Sequence, residues 1–247
     1  MKITFLGTGT SQGIPMIANN DPVCLSDNPR DKRLRSSIMI SWNDIRYIVD
    51  CGPDFRQQML RENIQSINGV LFTHEHADHT AGIDDLRPYT YKMGEVPIYA
   101  QERVIENLKV RFSYIFETEN RYAGAPKLTE NTIDSTSFIL HGVQVTPLAV
   151  MHGNLPITGY RFGNVAYITD LKTMSDQEKK KLENLEILIV NALRIDAHPT
   201  HLNLEEALAF VNEIKPKRAY FTHISHKLGF HEDVEKILPE NVFLSYD

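Results

Sequence analysis

The chain has 247 residues, enough for one large domain or two small ones, and 42% are hydrophobic, as in a globular protein with a sizeable core. Its formal charge of −6 offers no basic footprint for nucleic acid or an anionic membrane. Two cysteines cannot build a disulfide framework, the N-terminus lacks a signal-peptide stretch, and no apolar run reaches membrane-spanning length, so a cytoplasmic protein without a membrane partner is expected.

Strand-like runs and helical patterns interleave from end to end. The first run, 3–6, leads into Gly7-Thr8-Gly9-Thr10-Ser11-Gln12-Gly13. This stretch lacks the Gly-Lys-Ser/Thr ending of a P-loop. It reads either as a tight turn or as backbone amides offered to a phosphate. Runs 37–41 and 46–49 flank Asn43-Asp44, a hairpin turn, and Asp50 follows. The apolar run 70–72 leads into Thr73-His74-Glu75-His76-Ala77-Asp78-His79. Its three imidazoles and the Asp78 carboxylate are the donors that borderline divalent metals take. Alternating His74 and His76 can aim at one ion, Asp78 and His79 at a second. A helix is expected from about Thr80.

Beyond run 98–100, residues 111–134 form the most irregular stretch, centred on Gly124-Ala125-Pro126. Phe112, Tyr114, Phe116 and Tyr122 are scattered through it. It reads either as a lid or as a loop packing its own aromatics. Run 143–150 follows run 137–140 and ends just before His152. Runs 157–162 and 166–168 precede Asp170. Ser175 and Glu178 read as a capping box before a helix over 178–185. Run 187–190 comes next, then His198 and His201, then a helix with Leu204, Leu208 and Val211 on one stripe. Run 219–221 precedes His223, and 242–245 closes the chain. Each of His152, Asp170 and His223 directly follows a strand-like run, as a ligand set gathered at one sheet edge requires. Periodicity gives mixed α and β structure but not the strand order.

The motif His-x-His-x-Asp-His, standing as His74, His76, Asp78 and His79, together with His152, Asp170 and His223, resembles the metallo-β-lactamase superfamily of binuclear hydrolases. Residues 3–10 and Ile48-Val49-Asp50-Cys51-Gly52 match as well, so the likeness spans the chain. It implies an α/β fold, a four-layer αββα sandwich, in one domain over residues 1–247. It implies two divalent metal ions, zinc or manganese. His74, His76 and His152 would hold one, Asp78, His79 and His223 the other, with Asp170 between them. Such a pair activates water and stabilises charge developing on a substrate. Asp78 and His201 are the catalytic candidates. His201 matches a histidine that serves related phosphodiesterases as acid for the leaving alkoxide; a phosphate contact, or a capping or packing role, is the alternative. His198 reads as a capping or packing residue. Asp50 matches the carboxylate that orients a ligand histidine through its other ring nitrogen.

Residues 5–15, Leu193, His201-Leu202-Asn203 and Thr222-His223-Ile224-Ser225-His226 resemble the cyclic-phosphate phosphodiesterase branch, whose namesake opens 5-phosphoribosyl 1,2-cyclic phosphate. Between His152 and Asp170 there is no room for the arm of tRNA 3′-processing relatives, nor for the extra domain of the RNA-cleaving branch. No structured RNA partner is therefore expected. The expected function is a metal-dependent hydrolase, a phosphodiesterase for a small, cyclic phosphodiester. The alternatives are a thioester or lactone hydrolase of the same fold, or a non-catalytic metal-binding regulatory protein. A homodimer is compatible with the sequence. One segment departs from the branch, whose members carry a three-cysteine zinc clip after Ile14-Pro15 plus the histidine at position 226. Here only Cys24 remains, with Asn19 and Asp21 in place of the other thiols. Loss of the clip is expected; a weak ion on Cys24, Asp21 and His226 is the alternative.

Overall fold

The computed structural model describes residues 1–119 and 121–247. The chain forms two compact units, Met1–Leu6 with Ser37–Asp134, and Gly7–Ser36 with Ser135–Asp247.

The first unit is built on a six-stranded sheet ordered as in the sequence: β1 (Lys2–Gly7), β2 (Ser37–Trp42), β3 (Ile45–Val49), β4 (Gly69–Leu71), β5 (Val96–Ala100) and β6 (Leu128–Thr132). Strands β2 and β3 are antiparallel, and Asn43 makes their turn at φ +50. From β3 to β6 every pairing is parallel. Parallel neighbours need a crossover. The helices Phe55–Arg61, Arg87–Met93 and Glu102–Arg111 supply one each. Their apolar faces meet the sheet in one core, where Phe55, Met59, Val104 and Leu108 pack with Ile48, Val70 and Ile98. Each such side chain contributes roughly 1.5–3 kcal/mol by leaving water.

The second unit carries a seven-stranded sheet: β7 (Phe138–Leu140), β8 (Val143–His152), β9 (Leu155–Phe162), β10 (Val165–Ile168), β11 (Ile187–Asn191), β12 (Arg218–Thr222) and β13 (Val242–Leu244). Pairings from β7 to β10 are antiparallel and those from β10 to β13 parallel. Strands β8 and β10 both oppose β9, so β8, β10, β11 and β12 run the same way. Their carboxyl ends share one edge, which gathers His152, Asp170, Asn191 and His223. The helix Leu204–Ile214 links β11 to β12. Asn203 caps it with a reciprocal capping box to Glu206. Leu204, Ala207, Phe210 and Val211 are its buried face, whereas Leu208 is only partly buried.

Several elements differ from the sequence reading. Residues 111–134 are less irregular than expected. They contain a helical turn, Ser113–Phe116, and the edge strand β6. The strand sequence Leu-Thr-Glu-Asn-Thr is too polar to announce itself, and parallel pairing to β5 makes it a strand. Phe112, Tyr114 and Phe116 pack on the first unit's core, which favours the packed loop over a lid. Asn120, within this stretch, lies outside the described residues. The helix expected from Thr80 instead ends there, spanning Ala77–Thr80. The helix after Ser175 is short, Asp176–Lys179. Ser175 does cap Glu178 N, while the Glu178 carboxylate accepts from Ala149 N at 2.8 Å. Among the described residues, no helix is long and apolar enough to cross a membrane.

Candidate metal centre

In the first unit the ligand motif begins where β4 stops. Thr73 N–H donates to Asp50 Oδ1 at 2.8 Å, and the Thr73 hydroxyl lies 2.9 Å from Asp50 Oδ2. The same hydroxyl is 2.9 Å from His74 Nδ1. Since the hydroxyl proton goes to the carboxylate, its oxygen accepts from His74 Nδ1–H, and the Nε2 lone pair remains for a ligand. His74 Nε2 stands 3.0 Å from His76 Nδ1. His76 ends the turn as the residue before Ala77–Thr80, and that short helix carries Asp78 and His79. His79 Nδ1 is 2.7 Å from Asp50 Oδ2, and its Nε2 is 3.2 Å from Asp78 Oδ2.

Asp50 is fully buried and holds a left-handed backbone at φ +67. Burial pushes its carboxyl above the ordinary value, against the pull of His79 and Thr73. Two backbone bonds stitch this turn to the motif: Cys51 N to His79 O at 2.8 Å, and Gly82 N to Cys51 O at 2.9 Å. A Cβ on Gly82 would lie 2.1 Å from Gly52 O, so only glycine allows this approach. Arg111 adds hydrogen bonds to Glu75 O at 2.5 Å and to Thr80 Oγ1 at 3.0 Å. We expect Asp50→Asn to weaken divalent-metal affinity by roughly 10–100-fold, measured by calorimetric titration.

In the second unit the edge of the sheet carries the matching donors. His152 Nδ1 donates to Thr200 O at 2.8 Å, which places the ring's lone pair on Nε2. Asp170 sits at φ +57 and His223 at φ +55. Such backbone costs about 1–3 kcal/mol per residue and persists only where neighbours impose it. Asn191 imposes it on Asp170. Its amide clasps the next residue, accepting from Leu171 N at 2.6 Å and donating to Leu171 O at 3.1 Å. Asp170 Oδ1 is 3.1 Å from His223 Nε2 and 3.0 Å from His201 Nε2. Its other oxygen accepts from Thr169 Oγ1 at 2.6 Å. The donor atoms of His152, Asp170 and His201 all lie within 4.8 Å of one another. His198, read as a capping or packing residue, accepts from Thr200 N at 3.3 Å through Nδ1, an atom 3.1 Å from His201 Nδ1.

These donor sets fit divalent metal ions. Tetrahedral zinc with bonds of 2.0–2.1 Å spaces its ligand atoms about 3.3 Å apart. The 3.0 Å between His74 and His76, 3.2 Å between Asp78 and His79, and 3.1 Å between Asp170 and His223 are edges of that size. In three of the five candidate ligand histidines, His79, His74 and His152, the remote nitrogen is spoken for by Asp50, Thr73 or Thr200, as metal-binding imidazoles require.

The profile of the β-lactamase superfamily domain matches residues 45–224. The chain belongs to the metallo-β-lactamase superfamily. Its two mixed sheets with crossover helices are the α/β fold of that family of metal-dependent hydrolases. A solved diphosphatase from the PhnP family is 39% identical with a TM-score of 0.93, over 99% of this chain and 94% of that one. An octanoyltransferase from Porphyromonas gingivalis (strain ATCC BAA-308 / W83) is 38% identical over 251 residues, all of this chain and 50% of that protein. A ribonuclease Z from Methanococcus maripaludis (strain C7 / ATCC BAA-1331) is 27% identical over 196 residues, 76% of this chain and 54% of that protein. The chain thus spans about half the length of these two curated relatives.

Within this superfamily member, the glycine-rich turn after β1 is a fastened turn rather than a phosphate cradle. Thr8 N donates to Asp247 Oδ1, Gly9 N to Leu34 O, Thr10 N to Ile224 O and Gly13 N to Thr10 O. The segment expected to lack the clip is held by hydrogen bonds. Asn19 Oδ1 accepts from Asp21 N at 2.7 Å, and Asn19 Nδ2 donates to His226 Nε2 at 3.2 Å. Asp21 caps Val23 N at 2.9 Å, and Cys24 is buried at 3% exposure. Among the described residues these side chains form no metal-ligating cluster. We therefore expect Cys24→Ser to cost no more than an ordinary core substitution, about 0.5–3 kcal/mol. A structural zinc would contribute on the order of 10 kcal/mol. Unfolding midpoints measured with and without chelator should shift equally in the variant; a chelator-dependent difference would reinstate the clip.

Proposed function

We propose that the chain is a binuclear metal-dependent phosphodiesterase acting on a small phosphodiester, with a cyclic one as first choice. His74, His76 and His152 hold one ion, Asp78, His79 and His223 the second, and Asp170 serves both, with zinc or manganese as the metal. All of residues 1–247 serve as one catalytic domain. When bound, the metals supply an activated water and positive charge toward the phosphate oxygens. The protein's own part is orientation. Asp50, Thr73 and Thr200 fix which nitrogen His79, His74 and His152 present, and Asn191 holds Asp170 in its left-handed turn. Asp78 closes one donor pair with His79, and His201 stands beside Asp170 as acid or phosphate contact.

The observation that carries the phosphate reading is the likeness, over nearly the full length, to a PhnP-family diphosphatase. Compactness supports a small substrate. Only β9 and β10, a single hairpin, separate His152 from Asp170, so no arm is available there to grip a structured RNA. This distinguishes the reading from the ribonuclease Z relatives, which share the fold. A thioester or lactone hydrolase is the second reading, favoured by the octanoyltransferase likeness. Purified protein assayed on bis-p-nitrophenyl phosphate, then screened against cyclic phosphodiesters, thioesters and lactones, decides between them. Turnover of phosphodiesters that chelator abolishes and metal restores is expected. Turnover of thioesters or lactones alone would transfer the site to the second reading, and inertness of the metal-loaded protein would make it a binding protein.

A further inference from the structure

The most heavily buried cation in the second unit has no part in the chemistry described so far. Arg33 is 3% exposed, yet each end of its guanidinium fork is used. Nη1 donates to Thr8 Oγ1 at 2.7 Å and to Ser245 O at 2.5 Å. Nη2 lies 3.1 Å from His231 Nδ1. Arginine only donates, so His231 accepts through Nδ1 as a neutral imidazole. Burial, and then Arg33 itself, lowers the His231 pKa to about 4, consistent with that state. Burial likewise lowers the Arg33 pKa to about 10, opposed by Asp247, Asp31 and Glu235. Asp247 completes the group. Its Oδ1 accepts from Thr8 N at 2.8 Å and from Thr8 Oγ1 at 2.6 Å, and its Oδ2 accepts from Leu34 N at 2.5 Å.

A buried charge of this kind is costly, and a hydrophobic replacement is often neutral or better for stability. Its place in the fold gives it a purpose. Thr8 O, on the residue the cluster grips, accepts from Ile224 N at 2.9 Å. Ile224 O in turn accepts from Thr10 N at 3.0 Å. Gly9 is bridged on one side to Arg35 and on the other to Ile224. Ile224 is the residue after His223, and His223 lies beyond the end of β12 at φ +55. The Thr8–Thr10 segment therefore anchors the exit from a strained residue that the sheet alone does not hold.

We propose that Arg33, Thr8 and Asp247 form a positioning device that holds His223 in its left-handed, ligand-presenting conformation through the Thr8–Ile224–Thr10 backbone bonds. The inference deepens the metal reading above and rests on it for the role of His223. The clamp is polar because its work is directional. Three fixed acceptors on one fork set the position of Thr8, where apolar packing would let it slide.

The test uses Thr8→Val, which keeps the shape and removes the hydroxyl shared by Arg33 and Asp247, and Thr8→Ser, which restores it. Leu182→Ala, a fully buried core site of the same unit, controls for general loss of stability. Amide hydrogen exchange of the metal-free protein reads the backbone directly. Ile224 and Thr10 amides should exchange at least tenfold faster in Thr8→Val, and return to wild-type rates in Thr8→Ser. Zinc titration of the same proteins should show one of two equivalents bound at least tenfold more weakly in Thr8→Val alone. Unchanged exchange at Ile224 and Thr10, or equal acceleration in Leu182→Ala, would overturn the positioning role. Wild-type protein that takes up one equivalent would overturn the two-ion reading instead, and the exchange result still decides the clamp.

Discussion

Asp170→Ala is expected to purify with about one metal equivalent fewer than the wild type, and its hydrolytic rate to fall by at least ~10²–10³-fold, the range for losing a group that stabilises developing charge. The reason is its reach. One oxygen lies 3.1 Å from His223 Nε2, and a hydroxyl from Thr169 orients the other. Alanine also disturbs the backbone, because Asp170 sits at φ +57. Asparagine tolerates that region and keeps the shape while removing the charge. Asp170→Asn therefore separates the two effects. Elemental analysis of protein purified without chelator gives the stoichiometry. Full metal content and full rate in Asp170→Asn would refute the assignment of the carboxylate as a ligand. Loss in both variants, with folded spectra, would support it.

The candidate donors were legible because their chemistry is local and their placement periodic. Three imidazoles and Asp78 crowd the turn after β4, His152 ends β8, and Asp170 and His223 follow just beyond β10 and β12. A run of apolar residues followed at once by a donor survives any uncertainty in strand order. Strand order itself was not legible, since period-two patterning does not say which strands are neighbours. The edge strand β6 was missed for a physical reason: its Thr-Glu-Asn-Thr is polar, and only the partner β5 makes it a strand. The supporting residues were missed because they act through shape rather than composition. Nothing in the run Ile187–Asn191 marks Asn191 as the clasp on Leu171. One signal was present and unread. Threonine immediately precedes His74, Asp170 and His201, and in each pair its hydroxyl lies 2.6–2.9 Å from the side chain it precedes. A short hydroxyl one residue before a functional side chain is a way to fix its orientation without a second segment of chain.

The remaining expectation concerns His201 and begins from its charge. Burial lowers its pKa to about 4; His223 and His152 push the same way, and the Asp170 hydrogen bond opposes them. Near neutral pH the ring is uncharged and donates Nε2–H to Asp170. An acid must carry a proton to give, so protonation has to accompany arrival of the substrate, whose negative phosphate favours the charged ring. If His201 then protonates the leaving alkoxide, His201→Ala should lower kcat on an alkyl phosphodiester by roughly 10²–10⁴. A nitrophenolate leaves without a proton, so bis-p-nitrophenyl phosphate should lose far less. A plain phosphate contact would slow both alike. Metal content must be read in the same samples, because the donor atoms of His201, His152 and Asp170 lie within 4.8 Å of one another. Retained metal with a leaving-group-dependent loss is the expected result. Equal losses on both substrates would refute the acid, and a drop in metal content would make His201 a ligand.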